Sequence, residues 1–269
     1  MIRYILLCCL RKKEMELKNT LTVLTENLME EPYASVLCYP KATETELQNR
    51  FSELKNHGVE AVEFAGKTSA FNVPVLGKGF VGVVVIAHLN GQKAALKIRR
   101  VDADRLGLQH EAEMLAIANS VSVGPKFMSV STNFLLMQLI DGDLLPYWLE
   151  THKEKEHVRG VLSEVVEQCW RLDAIGLDHG ELSKAPKHLI VNKEQKPFIV
   201  DFETSSINRK PSNVTAICQF LFTSGYGVSR MVAETLGERN SAEIIRTLRI
   251  YKGQRTRENL DRVLQACLS

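Results

Sequence analysis

The Asn90-Gly91 pair, between two runs rich in valine, isoleucine and alanine, restricts the fold of this chain more than any other feature. Residues 83–87 and 94–98 on either side have the composition of strands. An Asn-Gly pair favours the type I′ turn, in which both central residues take positive φ and the strands keep their natural twist. The sequence therefore predicts a β-hairpin here, and a glycine-rich segment leads into it.

The glycine-rich segment has the pattern G-x-G-x-x-G, in which Lys78 lies between Gly77 and Gly79 and Gly82 follows. In a dinucleotide-binding fold such glycines begin a helix, whereas here they continue into a β-branched strand. That order is typical of a loop that folds over phosphate groups. Glycine lets the backbone approach phosphates closely and adopt φ and ψ values closed to other residues. A plain glycine-rich hairpin turn is the alternative for this pattern taken alone.

The second strand of the hairpin ends in Ala95-Leu96-Lys97. An alanine-x-lysine sequence at this place indicates an ammonium group that binds the α- and β-phosphates of a nucleotide. Such a lysine needs a carboxylate on the following helix, which is predicted over residues 110–119. We expect Glu111 of that helix to be the partner of Lys97 and Glu113 to be exposed.

The region before the glycines is predicted to form a small α/β extension. Leucines at helical spacing indicate a helix over residues 15–28, and residues 34–38, 44–56 and 59–64 are predicted as strand, helix and strand. Residues 46–58 and the strand after them also resemble the second half of a winged helix, which would suggest nucleic-acid binding. An ordinary packing helix is the alternative.

Residues 134–140 are predicted as a buried strand that forms a hinge for adenine. Met137 would lie behind the adenine, and Gln138 and Ile140 would offer it a backbone carbonyl and amide. A plain core strand is the alternative. Further along, a helix is predicted over residues 157–175, two short strands over 188–192 and 198–202, and helices from residue 213 onward.

The most informative stretch lies between the predicted helix and the second hairpin, where residues 177–183 read L-D-H-G-E-L-S. Residues 198–203, after the turn of that hairpin, read F-I-V-D-F-E. These loops resemble the catalytic and metal-binding loops of the RIO family and of the small kinase subunit of the KEOPS complex. The resemblance covers residues 74–225 and includes five motifs in the same order. More narrowly, the chain looks like a group of archaeal serine/threonine protein kinases.

This resemblance implies an α+β fold of the two-lobed protein-kinase type, with a small β-rich N-lobe and a helical C-lobe. ATP would bind between the lobes, together with Mg²⁺ or Mn²⁺. The extension would comprise residues 1–65, the N-lobe residues 66–140 and the C-lobe residues 141–269.

The resemblance also implies roles for individual residues. Asp201 would hold the metal ion, and Lys97 would complete the catalytic set. Glu181 occupies the position of the catalytic aspartate, which orients the acceptor hydroxyl and accepts its proton. Asp178 is a second candidate base. Glu203 stands where ordinary kinases have glycine, which indicates either a fixed metal loop or a further acidic group near the metal.

The chain departs from the family pattern at the asparagine that ligates a second metal, since Pro186 stands at that distance from Glu181. Counting back from the following strand brings His188 opposite that asparagine, so we expect His188 to bind metal or phosphate. His179 would support the loop rather than react. The residues expected to bind the nucleotide are Gly77, Lys78, Gly79, Gly82, Val84, Ala95, Lys97, Glu111, Met137, Gln138, Ile140 and His188.

The expected activity is transfer of the γ-phosphoryl group of ATP to a serine or threonine hydroxyl of a protein substrate, or of the chain itself. The alternative is a switch or scaffold of the same fold that binds or hydrolyses ATP with little kinase activity. Glu181 in place of aspartate and the missing asparagine favour that alternative.

Composition limits the partners and the compartment. The 34 basic and 32 acidic residues leave a net charge of +2, so overall charge gives no case for a nucleic-acid or membrane protein. A basic surface near the C-terminus could bind an RNA-associated or acidic partner, although an ordinary charged helix face is the alternative. Its residues are Arg209, Lys210, Arg246, Arg249, Lys252, Arg255 and Arg257.

Six scattered cysteines without a C-x-x-C pair predict a reduced, cytoplasmic setting. The apolar run at residues 4–10 is far shorter than a membrane span, and no cleavage site of an export signal follows it.

Overall fold

A computed structural model of the chain describes residues 20–225 and 227–269 and shows a mixed α and β protein with antiparallel sheets. The apolar run at residues 4–10 lies outside the described residues. The chain forms two compact units. The sheet unit ends its first stretch at Gln109 and adds Phe127–Leu139, and the helical unit consists of His110–Lys126 and Ile140–Ser269.

The sheet unit is built on a seven-stranded antiparallel sheet. Strands β3 and β4 form a separate two-stranded hairpin. The strands of the unit are β1 Leu21–Leu24, β2 Ala61–Phe64, β3 Thr68–Ala70, β4 Val73–Val75, β5 Gly77–Lys78, β6 Gly82–Leu89, β7 Gln92–Arg99, β8 Phe127–Val130 and β9 Phe134–Gln138. The main order is β1-β2-β6-β7-β9-β8, and β5 pairs with β6. The predicted hairpin is confirmed as β6 and β7, with φ of 49° at Asn90 and 71° at Gly91.

Two predictions for the N-terminal region are wrong. Part of the predicted helix over residues 15–28 lies outside the described residues, and the rest forms β1 and the 3-10 helix Thr25–Met29. The predicted strand over residues 34–38 is helix α1, Tyr33–Leu37. Both segments are short apolar runs, for which spacing alone does not separate helix from strand. Pairing of β1 with β2 supplies backbone hydrogen bonds that the local pattern does not reveal.

Helix α2, Glu44–Asn56, is confirmed, and Arg50 ties it to the sheet unit. Although it is charged, Arg50 is 0% exposed. Its Nη1 donates to the carbonyls of Leu37 and Arg99, and its Nη2 donates to Asn133 Oδ1 at 3.1 Å. Glu46 accepts from its Nε at 2.8 Å. One side chain therefore links the extension to the ends of β7 and β9.

The helical unit packs helices around a small antiparallel sheet. Its elements are α3 Gln109–Asn119, β10 Gly142–Leu144, α4 Leu145–Thr151, α5 Lys155–Ala174, β11 Leu189–Asn192, β12 Pro197–Ile199, α6 Asn213–Cys218, a π-helical segment Gln219–Thr223, α7 Val228–Leu236, α8 Ser241–Gly253 and α9 Arg257–Leu268. Strand β11 lies between β10 and β12. Within residues 20–225 and 227–269, no helix is long and apolar enough to cross a membrane.

Helix α5 is the core of this unit, and it buries one face along its whole length. That face consists of the predicted apolar residues Val158, Val161, Leu162, Val165, Val166, Cys169 and Leu172, with Gln168 and Asp173. The apolar residues recur at helical spacing, which is why the sequence predicted this helix correctly.

A buried polar network at the end of α5 fixes the loop that follows it. Asn213 accepts a hydrogen bond from the His179 backbone at 2.8 Å and donates from Nδ2 to Asp173 at 2.8 Å and to the Leu177 carbonyl at 2.7 Å. The Tyr251 hydroxyl donates to Asp173 at 3.0 Å. Burial raises the pKa of Asp173, and the hydrogen bonds from Asn213 and Tyr251 oppose that rise.

Four cysteines, Cys38, Cys169, Cys218 and Cys267, are buried free thiols in the described residues. Burial raises the pKa of Cys38 to about 11 and that of Cys169 well above its ordinary value. Cys38 and Cys169 are therefore packing residues rather than nucleophiles.

We expect Arg50→Met to lower the free energy of unfolding by about 2–4 kcal/mol, because buried acceptors lose their donor. Lys55→Met on the same helix is the control. It changes an exposed side chain that lies over the Phe51 ring and should cost less than about 1 kcal/mol. Calorimetric unfolding of the two variants measures the difference, and equal losses would contradict the role given to Arg50.

We expect Asn213→Ala to destabilise the helical unit by about 2–4 kcal/mol, since the His179 amide and the Leu177 carbonyl lose their buried side-chain partner and Asp173 loses one of its donors. Asn208→Ala removes an exposed amide from the same loop region and should change stability by less than about 0.5 kcal/mol. Thermal unfolding followed by circular dichroism measures both changes. If Asn213→Ala unfolds at the same temperature as the wild-type chain, the network is not needed for stability.

Candidate functional site

The glycine-rich segment forms a tight hairpin in the sheet unit. Gly77 pairs with Val84 and Lys78 with Val83, and the Gly79 amide donates to the Gly82 carbonyl at 2.8 Å. The segment continues into β6, so the predicted run of glycines into a strand is confirmed. Phe80, at the tip of the turn, is 94% exposed. The turn presents backbone groups rather than a helix end.

Gly82 leaves space for the side chain of Lys97. Lys97 is buried in β7 and lies opposite Val84 of β6. A Cβ atom on Gly82 would lie 2.9 Å from the Ile98 carbonyl oxygen and 3.0 Å from Lys97 Cγ. Any other residue at position 82 would therefore displace Lys97. Gly77 and Gly79 have room for a Cβ atom, so sterics do not require glycine at those two positions.

The predicted hinge residues lie in β9 of the same sheet or shortly after it. Ala95, which is buried, lies opposite Met137 of β9, and Ala94 lies opposite Gln138, the last residue of that strand. Ile140 comes after the strand and belongs to the helical unit. Met137 and Ile140 are partly buried, whereas Gln138 is exposed.

Asp201 follows β12 in the helical unit and has a strained backbone. Its φ is 69°, in the left-handed region that non-glycine residues seldom adopt. The amide of the preceding residue, Val200, donates to the His188 carbonyl at 3.0 Å. This bond continues the β11–β12 pairing up to Asp201. Non-glycine residues in this conformation cluster at functional sites, where surrounding contacts hold them.

His179 joins the two loops of the helical unit. Its side chain is fully buried, and Nε2 lies 3.1 Å from the Val200 carbonyl. Its ring meets that of Phe202 edge-on, with centroids 5.2 Å apart. Burial, with a smaller contribution from His188, lowers the pKa of His179 to about 4. The ring is therefore neutral, and it donates from Nε2 as a structural support of the Asp201 loop.

Asp178, the second candidate base, is engaged elsewhere. Its carboxylate accepts from Arg209 Nε and from the Ser212 amide, both at 3.0 Å. Its backbone forms a two-bond bridge with Ser206. These contacts hold the segment after Asp201 against the loop, so Asp178 has a structural rather than a proton-accepting role.

Glu181, His188 and Asp201 come together around one point of the helical unit. His188 Nε2 lies 3.4 Å from a Glu181 oxygen, and His188 Nδ1 lies 3.7 Å from an Asp201 oxygen. One ligand atom from each of the three residues lies within 4.8 Å of the other two. The carboxylate side chains are 43% and 40% exposed, so solvent and ligands can reach them. Such a set of oxygen and nitrogen donors fits a divalent cation.

Glu203, the predicted further acidic group, lies in a second cluster with Glu111 and Asp201. Ligand atoms of these carboxylates also lie within 4.8 Å of one another. Glu111 is buried in the first turn of α3, and Glu113 is exposed. Asp201 thus belongs to both clusters of the helical unit.

The predicted basic surface is partly used in pairing within the chain. Arg246 pairs with Glu243, and Arg257 pairs with Glu167 and Asp261. Arg209 pairs with Asp178, and Arg255 donates to the Pro211 carbonyl. Lys210, Arg249 and Lys252 are exposed lysine and arginine side chains of the same region.

Two positions that hold the site were not singled out from the sequence. Gly180 has a φ of 91°, and a Cβ atom there would lie 2.6 Å from Arg209 Nη2 and 3.2 Å from the Thr204 carbonyl. Asn213 was noted only as the start of a helix. An asparagine at the start of a helix is a recognisable capping signal, but the sequence does not reveal the buried side-chain contacts of Asn213.

The comparisons with known proteins add one partial similarity. No protein-family model matches the chain. An uncharacterized protein of the archaeon Methanocaldococcus jannaschii is 27% identical to it over 100 residues, which are 37% of this chain and 83% of that protein. A similarity of this extent assigns neither a family nor an activity to the chain.

Proposed function

We propose that the chain is an atypical protein kinase that transfers the γ-phosphoryl group of ATP to a serine or threonine hydroxyl. The observation that carries the proposal is the convergence of Glu181, His188 and Asp201, with Asp201 in a left-handed backbone conformation after a short hairpin. A carboxylate at that point suits a divalent cation, and a second carboxylate beside it suits an acceptor hydroxyl.

The sheet unit would bind the phosphates. The turn between β5 and β6 would bring the backbone of residues 79–81 to the phosphates, and Lys97 of β7 would supply a positive charge. The close approach of Lys97 to Gly82 supports this role, because it holds the ammonium chain in one direction. Met137 and Gln138 would bind adenine at the end of β9.

The helical unit would hold the cation and the acceptor. Asp201 and His188 are the residues that would hold the divalent cation, since they supply an oxygen and a nitrogen donor close together. Such an ion bound to ATP neutralises charge on the phosphate oxygens. His179 keeps the Asp201 loop in position through its bond to Val200.

Glu181 would orient the acceptor hydroxyl and accept its proton. Glutamate is one methylene longer than the aspartate of ordinary kinases, and its side chain is 43% exposed, so it can reach an incoming hydroxyl. A cavity of about 330 Å³ borders Gly180 and Leu182, the two sequence neighbours of Glu181. Its lining includes the hydroxyls of Ser183, Ser212 and Thr215.

The kinase-like fold and its small α/β extension are part of this proposal. The second candidate function is a switch or scaffold that binds or hydrolyses ATP. The position of Glu181 favours it, since His188 lies 3.4 Å away and competes with an acceptor for the carboxylate.

We expect the purified chain with Mg²⁺ or Mn²⁺ to transfer labelled γ-phosphate to itself or to a protein acceptor. Asp201→Asn and Glu181→Gln should each lower the rate at least about 100-fold, because each removes a charge used in the transition state. Glu238→Gln, an exposed residue of the helical unit, should keep the wild-type rate. ATP binding or hydrolysis without transfer to any hydroxyl would favour the switch over the kinase.

We expect Lys97→Met to weaken ATP binding about 10–100-fold, because the phosphates lose a buried positive partner. Lys93→Met on the same strand removes an exposed lysine paired with Glu63 and should leave ATP affinity within about twofold of wild type. Titration calorimetry with a non-hydrolysable ATP analogue compares the two. Equal affinities would remove Lys97 from the phosphate site.

A further inference from the structure

The imidazole of His188 is buried between two carboxylates without good hydrogen bonds. His188 exposes only 9% of its surface. Its Nδ1 has no hydrogen-bond partner among residues 20–225 and 227–269. The separations of 3.4 Å to Glu181 and 3.7 Å to Asp201 exceed the length of a charge-assisted hydrogen bond, which is about 2.7–2.9 Å.

An unsatisfied buried nitrogen costs free energy, so such groups usually have a partner. A cation among these side chains would supply one. Two ligand atoms bound at about 2.1 Å to one ion lie roughly 3.0–3.4 Å apart. The 3.7 Å between His188 Nδ1 and Asp201 is close to that separation, whereas the 3.4 Å contact of Glu181 is to the other ring nitrogen, Nε2, so Glu181 would have to turn toward Nδ1. A nitrogen and two carboxylate oxygens already lie within 4.8 Å of one another. Small rotations of the partly exposed Glu181 and Asp201 side chains would bring all three onto one ion.

The donor set indicates the class of ion. Mg²⁺ is a hard cation that prefers oxygen ligands and keeps much of its water. Imidazole nitrogen instead suits first-row transition ions and zinc, and carboxylates suit both classes. We propose that Glu181, His188 and Asp201 form a site for transition-type divalent ions such as Co²⁺, Zn²⁺ and Mn²⁺, with His188 as the ligand that disfavours Mg²⁺.

This inference deepens the proposed function, on which it rests for the use of the ion in turnover. Binding of the ion itself requires neither ATP nor activity. With one Glu181 oxygen on the ion, the other oxygen remains available to an acceptor hydroxyl. The opposing account is a His188 that only contacts the two carboxylates and binds no metal.

The test is titration calorimetry of the full chain, free of nucleotide, with Co²⁺, Mn²⁺ and Mg²⁺. Co²⁺ should bind at least about tenfold more tightly than Mg²⁺. Because most binding sites prefer Co²⁺ to Mg²⁺, the preference alone does not test the role of His188. The decisive quantity is the ratio of Co²⁺ affinity to Mg²⁺ affinity in His188→Asn, compared with the same ratio in the wild-type chain. An amide oxygen in place of imidazole should reduce the ratio about tenfold or more, mainly through loss of Co²⁺ affinity. An unchanged ratio would overturn the inference.

His157→Asn is the matched control, since His157 is an exposed histidine of the same unit that pairs with Glu154 at 3.1 Å. It should keep the wild-type ratio. A readout on the wild-type chain guards against misfolding of His188→Asn: pulsed electron paramagnetic resonance of bound Mn²⁺ should show coupling to an imidazole nitrogen. Absence of that coupling would overturn the inference.

The outcomes for the metal and for the activity are separable. A chain that binds Co²⁺ through His188 but transfers no phosphate would support the metal site and remove the proposed kinase. If the chain transfers phosphate and His188→Asn leaves the affinity ratio unchanged, the proposed kinase would be supported and the proposed metal site would be removed.

Discussion

The hydrogen bonds of the buried Asn213 side chain are the interaction on which the candidate site depends. Asn213 joins Asp173 at the end of α5 to the backbone of Leu177 and His179. His179 in turn reaches the Val200 carbonyl, one residue before Asp201. A continuous chain of buried polar contacts therefore runs from the central helix to the carboxylate expected to hold the cation. The members are buried, so removal of one takes a hydrogen bond from each of its neighbours, and the network acts as a unit.

Charge is distributed differently at the two ends of this chain of contacts. Burial keeps His179 neutral, so it supports the loop without competing for the cation. Glu181 and Asp201 remain partly exposed, and His188 lies between them. A binding site for a charged ligand requires accessible donor atoms, here those of Glu181 and Asp201, and a rigid support for them, here His179. Fixed groups lose little entropy when the ligand binds. The strained backbone of Asp201 fits the same arrangement.

A sequence prediction is correct where neighbouring residues determine the structure, and it is wrong where residues distant in the sequence determine it. The β6–β7 hairpin was predicted because Asn90 and Gly91 adopt positive φ readily, whatever surrounds them. Helix α5 was predicted because seven apolar residues share one face. Residues 21–24 were predicted as helix and form a strand, since their hydrogen-bond partners in β2 lie about forty residues away in the sequence. Arg50 could not be identified as buried, because its acceptors come from three separate segments.

The sequence alone determined which chemistry-bearing residues the chain contains, the hairpins that carry them and the apolar faces that build the core. These properties depend on backbone preferences and on spacing, both of which are local. Tertiary structure alone decided which of those residues meet. It removed Asp178 from the candidate bases by pairing it with Arg209 and Ser212. It also brought His188 between Glu181 and Asp201. Contacts between residues distant in sequence depend on loop geometry and on burial, which no local pattern encodes.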